Sequence, residues 1–167
     1  GLIVDGERLI PSDALGNGNF EVIVSGFRKG VGSSRETAVQ AEKWSGIRIA
    51  IAASFAPIHA ANNINQGVLM GDHGILLRLQ AGEDVPLSEF YSAYAGLTQL
   101  KVRHGGLFAF ARALAAGDIE TPLPVSGDRP MTMAEKILAS HALGEPASVK
   151  PGDPLVTRVD GGYSHEF

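Results

Sequence analysis

A chain of 167 residues, 44% hydrophobic and 19% charged, carries enough apolar surface for a globular core, and its net charge of −4 with no Lys/Arg cluster excludes the basic stripe that a nucleic-acid surface needs. Zero cysteines exclude disulfides, a catalytic thiol and any thiolate-held cluster supplied by this chain. No apolar run of about 18 residues could span a bilayer and no leader pattern is read, so the sequence points to a cytoplasmic protein with no membrane partner.

In chain order, Phe20 to Ser25 (FEVIVS) is a β-branched run bounded by glycines and reads as a buried strand. The stretch Gly30 to Gly46 (GVGSSRETAVQAEKWSG) then sets two serines and an arginine between glycines and a helix over 35–44. Ala38, Ala41 and Trp44 recur there at three-residue spacing, and Trp44 is assigned to the core. Ile47 to Ser54 (IRIAIAAS) alternates as a second strand, which makes a βαβ unit with parallel strands and a right-handed crossover. In open α/β sheets ligands gather at the first βα turn, here the one holding Gly26, Gly30 and Gly32.

Residues 56–67 predict a helix that opens on Pro57 and stops at Gly67, and Ile75 to Gln80 reads as a further strand with a turn at 81–84. The pattern over 87–102 is mixed, whereas Leu107, Phe110, Ala111 and Leu114 give 105–117 a helical face. Composition changes at Ile119: Pro122, Pro124 and Pro130 make 119–130 an extended linker. Thr132 and Glu135 then form a capping box, with Ile137, Leu138 and His141 following, and a turn at 151–153 leads into a strand over 155–160. The organisation expected is a domain over 1–118, the linker 119–130, and a segment 131–167 too short to bury a core of its own.

A glycine-rich turn followed by a helix start offers free backbone N–H groups and a positive dipole end, an anion site. The plainer alternative is that Ser33 or Ser34 caps the helix and that Arg35 and Glu36 are solvated charges; spacing alone leaves both open. The dinucleotide fingerprint, the Gly-Lys-Ser/Thr of a phosphate loop and the Gly-x-Ser-x-Gly of a nucleophile elbow are all unmet.

GVGSSRE together with FAPIHAANNINQGVL resembles the small subunit, or swivel domain, of the aconitase and isopropylmalate dehydratase superfamily. The second motif is carried by Ser54, Phe55, Ala56, Ile58, Asn62, Asn65, Gly67 and Leu69. RPMTMAEKILASHAL and VKPGDPLVTRVDGGYSHEF look like the opening of the family's large, cluster-binding subunit. The resemblance implies an α/β swivel-domain fold of β/β/α architecture, with a mostly parallel sheet, flanking helices and a C-terminal helix-strand extension. It implies dehydration of a hydroxy-dicarboxylate, with Ser33 as base, Arg35 holding a substrate carboxylate, Ser34 adding a hydrogen bond, and Gly30 and Gly32 shaping the loop. A 4Fe–4S cluster would act as Lewis acid, bound by a large-subunit-like core and not by this chain. That core is the expected partner, most simply as further residues of a longer parent polypeptide.

His165, in SHEF, is expected near substrate, whereas His59, His73 and His104 lack metal-ligand spacing and are read as structural, so no metal ligand is assigned. Asn62, Asn63 and Asn65 are expected to fix turns by side-chain hydrogen bonds. Of the family's first element only ERLIP, 7–11, remains, and the loop 12–19 lacks the arginine that citrate-using relatives carry there. That favours an alkylmalate over homoaconitate, citrate or methylcitrate. The competing functional class is a non-catalytic anion-binding swivel module that scaffolds or regulates a partner.

Overall fold

The computed structural model describes residues 3–8, 11–32, 35–121, 123–124 and 127–164. The chain divides into two compact units, 1–113 and 114–167.

The first unit opens with a small antiparallel hairpin of β1 (Ile3–Val4) and β2 (Glu7–Arg8). Its two-residue turn has Asp5 at φ 50 and Gly6 at φ 79, the left-handed pair that such hairpins require. After α1 (Ala14–Asn17) comes the central sheet: β3 (Val22–Val24), β4 (Ile49–Ile51) and β5 (Leu69–Gly71), parallel, in the order β3-β4-β5. Register pairs Ile23 with Ala50 and Ala50 with Met70. The connections are α2 (Glu36–Trp44) and α3 (Pro57–Gln66), so the expected parallel α/β fold is what forms.

Val39 of α2, Ala50 of β4 and Val68 make the core cluster, with Ile23 and Phe55 packed against it. Ile47 and Ile51 are buried as well. The strand over 20–25 is the sheet edge rather than a buried strand: Val22 and Val24 are 41% and 51% exposed and only Ile23 packs inward. Trp44 is not core, being 81% exposed. Helix α2 turns Val39 to the sheet, which places Ala38, Ala41 and Trp44 on its exposed side.

The third strand lies earlier than the sequence predicts. Residues 75–80 belong to α4 (His73–Gln80), where the side chain of Asp72 accepts a hydrogen bond from the Ile75 N–H at 2.9 Å. A short, mostly apolar run such as ILLRLQ fits strand and helix alike, so this N-cap decides for helix and leaves 69–71 to pair with β4. The mixed stretch resolves into α5 (Glu89–Ser92) and α6 (Gly96–Arg103), followed by α7 (Leu107–Ala116).

In the second unit, α8 (Met133–His141) begins with the expected capping box: Thr132 N–H donates to Glu135 Oε2 at 2.7 Å and Glu135 N–H to Thr132 Oγ1 at 3.3 Å. That backbone donor, with the Thr132 hydroxyl and Arg129, holds the Glu135 carboxyl below its usual range. Asp160, 2.8 Å from His141 Nε2, raises that imidazole's pKa. No strand forms over 155–160; the segment makes a single antiparallel bridge, Ala142 with Thr157, flanked by Leu143 N–H to Val156 O at 2.8 Å. Pro151, Gly152 and Pro154 before this segment and Gly161 and Gly162 after it disfavour a longer ladder.

Ile51 lies at the centre of the sheet with no exposed surface. Ile51→Ala is expected to cost about 2–5 kcal/mol and Ile51→Val about 0.5–1.5 kcal/mol in urea unfolding, because the site cannot collapse around a lost methylene without moving β4.

Candidate functional site

The pairing of β3 with β4 does not stop at the strand ends. Ser25 N–H donates to Ile51 O at 2.8 Å, Ala53 N–H to Gly26 O at 3.1 Å, Lys29 N–H to Ser54 O at 3.0 Å and Ala56 N–H to Lys29 O at 2.8 Å. The Ser54 hydroxyl adds a bond to Phe27 O at 2.6 Å. His73 Nε2, 3.0 Å from Ser25 O, pins the start of the segment. The loop that follows is therefore anchored up to residue 29 and leaves the sheet at Gly30.

Gly30 has φ 82, and a Cβ added there would collide with Cβ, Cγ and Cδ2 of His59. Glycine is required on both counts: backbone of left-handed sign, and contact of its Cα with an imidazole. Gly32, at φ 130, gives the loop its second reversal. Arg35 ends the loop as the N-cap residue of α2, with extended backbone at φ −65 and ψ 149. Lys29, Gly30, Arg35, Glu42 and His59 line an open cleft of about 480 Å³.

Of the residues predicted to act here, Gly30 and Arg35 meet at this cleft and Gly32 lies in the same loop. Ser33, Ser34 and His165 lie outside the described residues. His104 packs its ring edge-on to Phe110 at 6.4 Å, and among the described residues no three His, Cys, Asp or Glu are placed to hold a metal ion.

Two cleft residues, Lys29 and Glu42, escape the sequence reading, and a third, His59, enters it only as structural. Lys29 Nζ pairs with Glu42 Oε1 at 2.5 Å, with side chains only 7% and 19% exposed. The pair ties the start of the loop to the last turn of the helix the loop leads into. Helix α3 faces α2 with a polar stripe, His59, Asn63 and Gln66 at i, i+4 and i+7, all buried. Gln66 Nε2 donates to Glu36 Oε1, and Lys43 Nζ donates to Gln66 O. Among the described residues, no hydrogen-bond partner is found for the buried ring nitrogens of His59, the buried amide atoms of Asn63 or the buried Glu42 Oε2. The expectation that Asn63 bonds to a turn therefore fails, while Asn65 Oδ1 accepts from Lys101 Nζ at 3.5 Å. The i, i+4, i+7 spacing of polar residues on a predicted helix was the available signal for this seam.

Burial pushes the His59 pKa down from its ordinary value; Glu42 opposes the shift and Lys29 adds to it. The cleft thus presents a neutral imidazole, two fixed cations and one carboxylate.

Residues 16–70 match the aconitase C-terminal domain family. The chain is 43% identical over 68 residues to 3-isopropylmalate dehydratase small subunit 2 of Deinococcus radiodurans, covering 40% of this chain and 33% of that protein. It is 32% identical over 111 residues to the 3-isopropylmalate dehydratase small subunit of Aquifex aeolicus, covering 55% and 64%. It is 53% identical over 49 residues to the methanogen homoaconitase small subunit of Methanocaldococcus jannaschii, covering 29% of each. A crystal structure of 3-isopropylmalate dehydratase from Methanocaldococcus jannaschii is similar at 28% identity and a TM-score of 0.45, over 58% of this chain and 66% of that one. The chain spans less than two thirds of the length of each of these curated relatives.

Removing one member of the buried pair strands the other. Lys29→Met is expected to lose up to about 3–5 kcal/mol in urea unfolding, and adding Glu42→Gln to that variant should recover most of the loss, as a double-mutant cycle will show. His59 supplies a separate pH signature. Its folded pKa lies below the unfolded value, so between the two the unfolded chain binds more protons and stability rises with pH. The contribution is complete above about pH 6.5 and is lost as pH falls through the depressed pKa. The difference between wild type and His59→Phe should therefore slope with pH below about 6.5 and be flat above it.

Proposed function

From the match of residues 16–70 to the aconitase C-terminal domain family, we propose that this chain is the loop-bearing component of a hydro-lyase acting on a hydroxy-dicarboxylate of the alkylmalate type. The observation that carries the reading is the placement of Arg35: at the N-terminus of α2, beside a loop of positive-φ glycines, lining an open cleft at the head of a parallel sheet. The absence of an arginine from residues 12–19 weighs against citrate.

A 4Fe–4S cluster does not fit the residues of this chain, which holds no cysteine and, among the described residues, no group of three potential ligands. The proposal assigns such a cluster to a large-subunit-like core, in the same parent polypeptide or as a separate chain. Residues 131–167 would be the opening of that core, after the linker 119–130 and the swivel domain 1–118. Val31 and Ile58, in the two motif segments, and Phe27, just before the first, are 72%, 62% and 89% exposed, and apolar surface of this kind on and beside the motif segments supports a covering partner.

Within this chain the division of labour follows from charge. Arg35 takes a substrate carboxylate with its two-pronged guanidinium, and Ser34 adds a hydrogen bond to the same group. Ser33 Oγ removes the proton from the carbon beside that carboxylate. A serine oxygen acts as a base only where its anionic form is stabilised, and the α2 N-terminus with its free N–H groups and the arginine provides that field. Loss of this proton from one carbon and of the hydroxyl from its neighbour leaves the double bond.

The test combines the chain with its cluster-bearing core, reconstituted anaerobically, and follows double-bond absorbance from alkylmalates. Ser33→Ala is expected to lower kcat by about 10²–10⁴ with little change in substrate binding. Arg35→Lys should raise KM, because an ammonium cannot bind a carboxylate with two parallel bonds. Full activity in Ser33→Ala would remove the base assignment and leave the non-catalytic binding module. Citrate turnover faster than that of any alkylmalate would overturn the substrate class.

A further inference from the structure

Lys29, Glu42 and His59 are largely closed to solvent, and the proposed division of labour gives none of them a step. Stability alone does not account for such a group, because well-packed apolar side chains of similar volume often serve as well as a buried ion pair or better. Their places in the fold give another reason. Lys29 is the last residue bonded through its backbone to the segment after β4, at Ser54 O and Ala56 N–H, before the loop leaves the sheet. Glu42 stands seven residues after Arg35 and Val39 stands four after it, so the three share one stripe of α2. Val39 docks this stripe on the core, but apolar contact is non-directional and does not by itself fix how far the helix slides or rolls. The Lys29–Glu42 pair is directional: it ties the far end of the stripe, about 10 Å along the axis from Arg35, to the start of the loop.

We propose that Lys29, Glu42 and His59 are the positioning residues of this site: the ion pair sets where α2, and with it Arg35, stands relative to the start of the loop, and the His59 ring sets the surface over which the loop leaves the sheet. None of the three touches substrate; each acts through Arg35. The inference rests on the hydro-lyase reading for what Arg35 does, but not for how Arg35 is held. Gly30 and Gly32, both of positive φ, leave the loop backbone wide conformational freedom, so a precise site on it needs rigid surroundings. His59 supplies one side of them: it is 2% exposed on α3, and Gly30 lies against its Cβ, Cγ and Cδ2 so closely that no side chain fits between. The ring therefore acts by its shape. A second strap works from the same helix, where Gln66 Nε2 donates to Glu36 Oε1 in the first turn of α2. Helix α2 is thus tied to the loop start at its last turn and to α3 at its first.

Backbone ¹⁵N order parameters of the full chain test this without core or substrate. In wild type the amides of Gly30 and Arg35 are expected near the rigid value of about 0.85. In Lys29→Met/Glu42→Gln, which should unfold at nearly the wild-type urea concentration, Arg35 is expected to fall below about 0.6 while Ala50 and Ile51 of β4 stay rigid. Lys29→Arg keeps a cation for Glu42 and should restore the order. His59→Ala should free Gly30, whereas His59→Phe, which keeps a ring under it, should not. A rigid Arg35 in the folded double variant, a mobile Arg35 in wild type, or a mobile Gly30 in folded His59→Phe would overturn the assignment. If the double variant does not fold, Glu42→Asp decides: it keeps the charge and shortens the arm by one methylene, and unchanged Gly30 and Arg35 resonances would count against the pair. In the holoenzyme reconstituted with its core, the double variant is expected to lose about 10- to 100-fold in kcat/KM and Lys29→Arg to recover most of it. Full kcat/KM in the double variant would likewise overturn positioning. If wild-type holoenzyme turns over no alkylmalate, the hydro-lyase reading fails, and the order parameters still decide whether these residues hold Arg35.

Discussion

The cleft depends on one backbone constraint: the parallel hydrogen bonding of β3 with β4 runs on past both strands, from Ser25 with Ile51 to Lys29 with Ser54 and Ala56. A parallel pair makes evenly spaced bonds, and each further rung removes freedom from both chains at once. Here the extra rungs hold the two segments that carry the sequence motifs. The first must leave the sheet at Gly30, and the second must enter α3 at Pro57. Loop and helix cannot shift independently, which is a physical reason for the two motifs to occur in this order and at this spacing.

Helix packing then converts that anchorage into a charged cleft. The face of α3 turned to α2 is polar over His59, Asn63 and Gln66, where an amphipathic helix would ordinarily be apolar. Apolar contact is left to Val39, Ala50 and Val68 deeper in the unit. A seam of this kind is costly unless satisfied, and it is satisfied only in part: Lys29 with Glu42, Gln66 with Glu36, Lys43 with Gln66 O. Among the described residues, the seam atoms left without a partner are Glu42 Oε2 and the His59 ring nitrogens at the cleft, and the Asn63 amide.

Lys29 holds the loop to the sheet through backbone bonds and to α2 through its ion pair, so the N-terminus of α2 and Arg35 are presented as a preorganised unit. The second unit carries its own ties, the Thr132–Glu135 capping box, Arg129 to Val149 O at 2.8 Å and the His141–Asp160 pair, which order a short segment that lacks an extensive core.

Local signals in the sequence determined the parallel βαβ unit, the glycine-rich turn ending at Arg35, the Pro57 start and Gly67 stop of α3, and the capping box of α8, because each depends on residues within a few positions of one another. The glycines at 30 and 32 and the serine–arginine run pointed to an anion by the same local chemistry. Tertiary structure alone decided what periodicity could not. The apolar run 75–80 fits strand and helix alike until Asp72 caps it, and α2 has two candidate faces until the sheet accepts Val39 and leaves Trp44 outside. The Lys29–Glu42–His59 cluster was illegible for the most basic reason: its members are 13 and 17 positions apart along the chain, and only the packing of α2 against α3 beneath the loop brings them to one cleft.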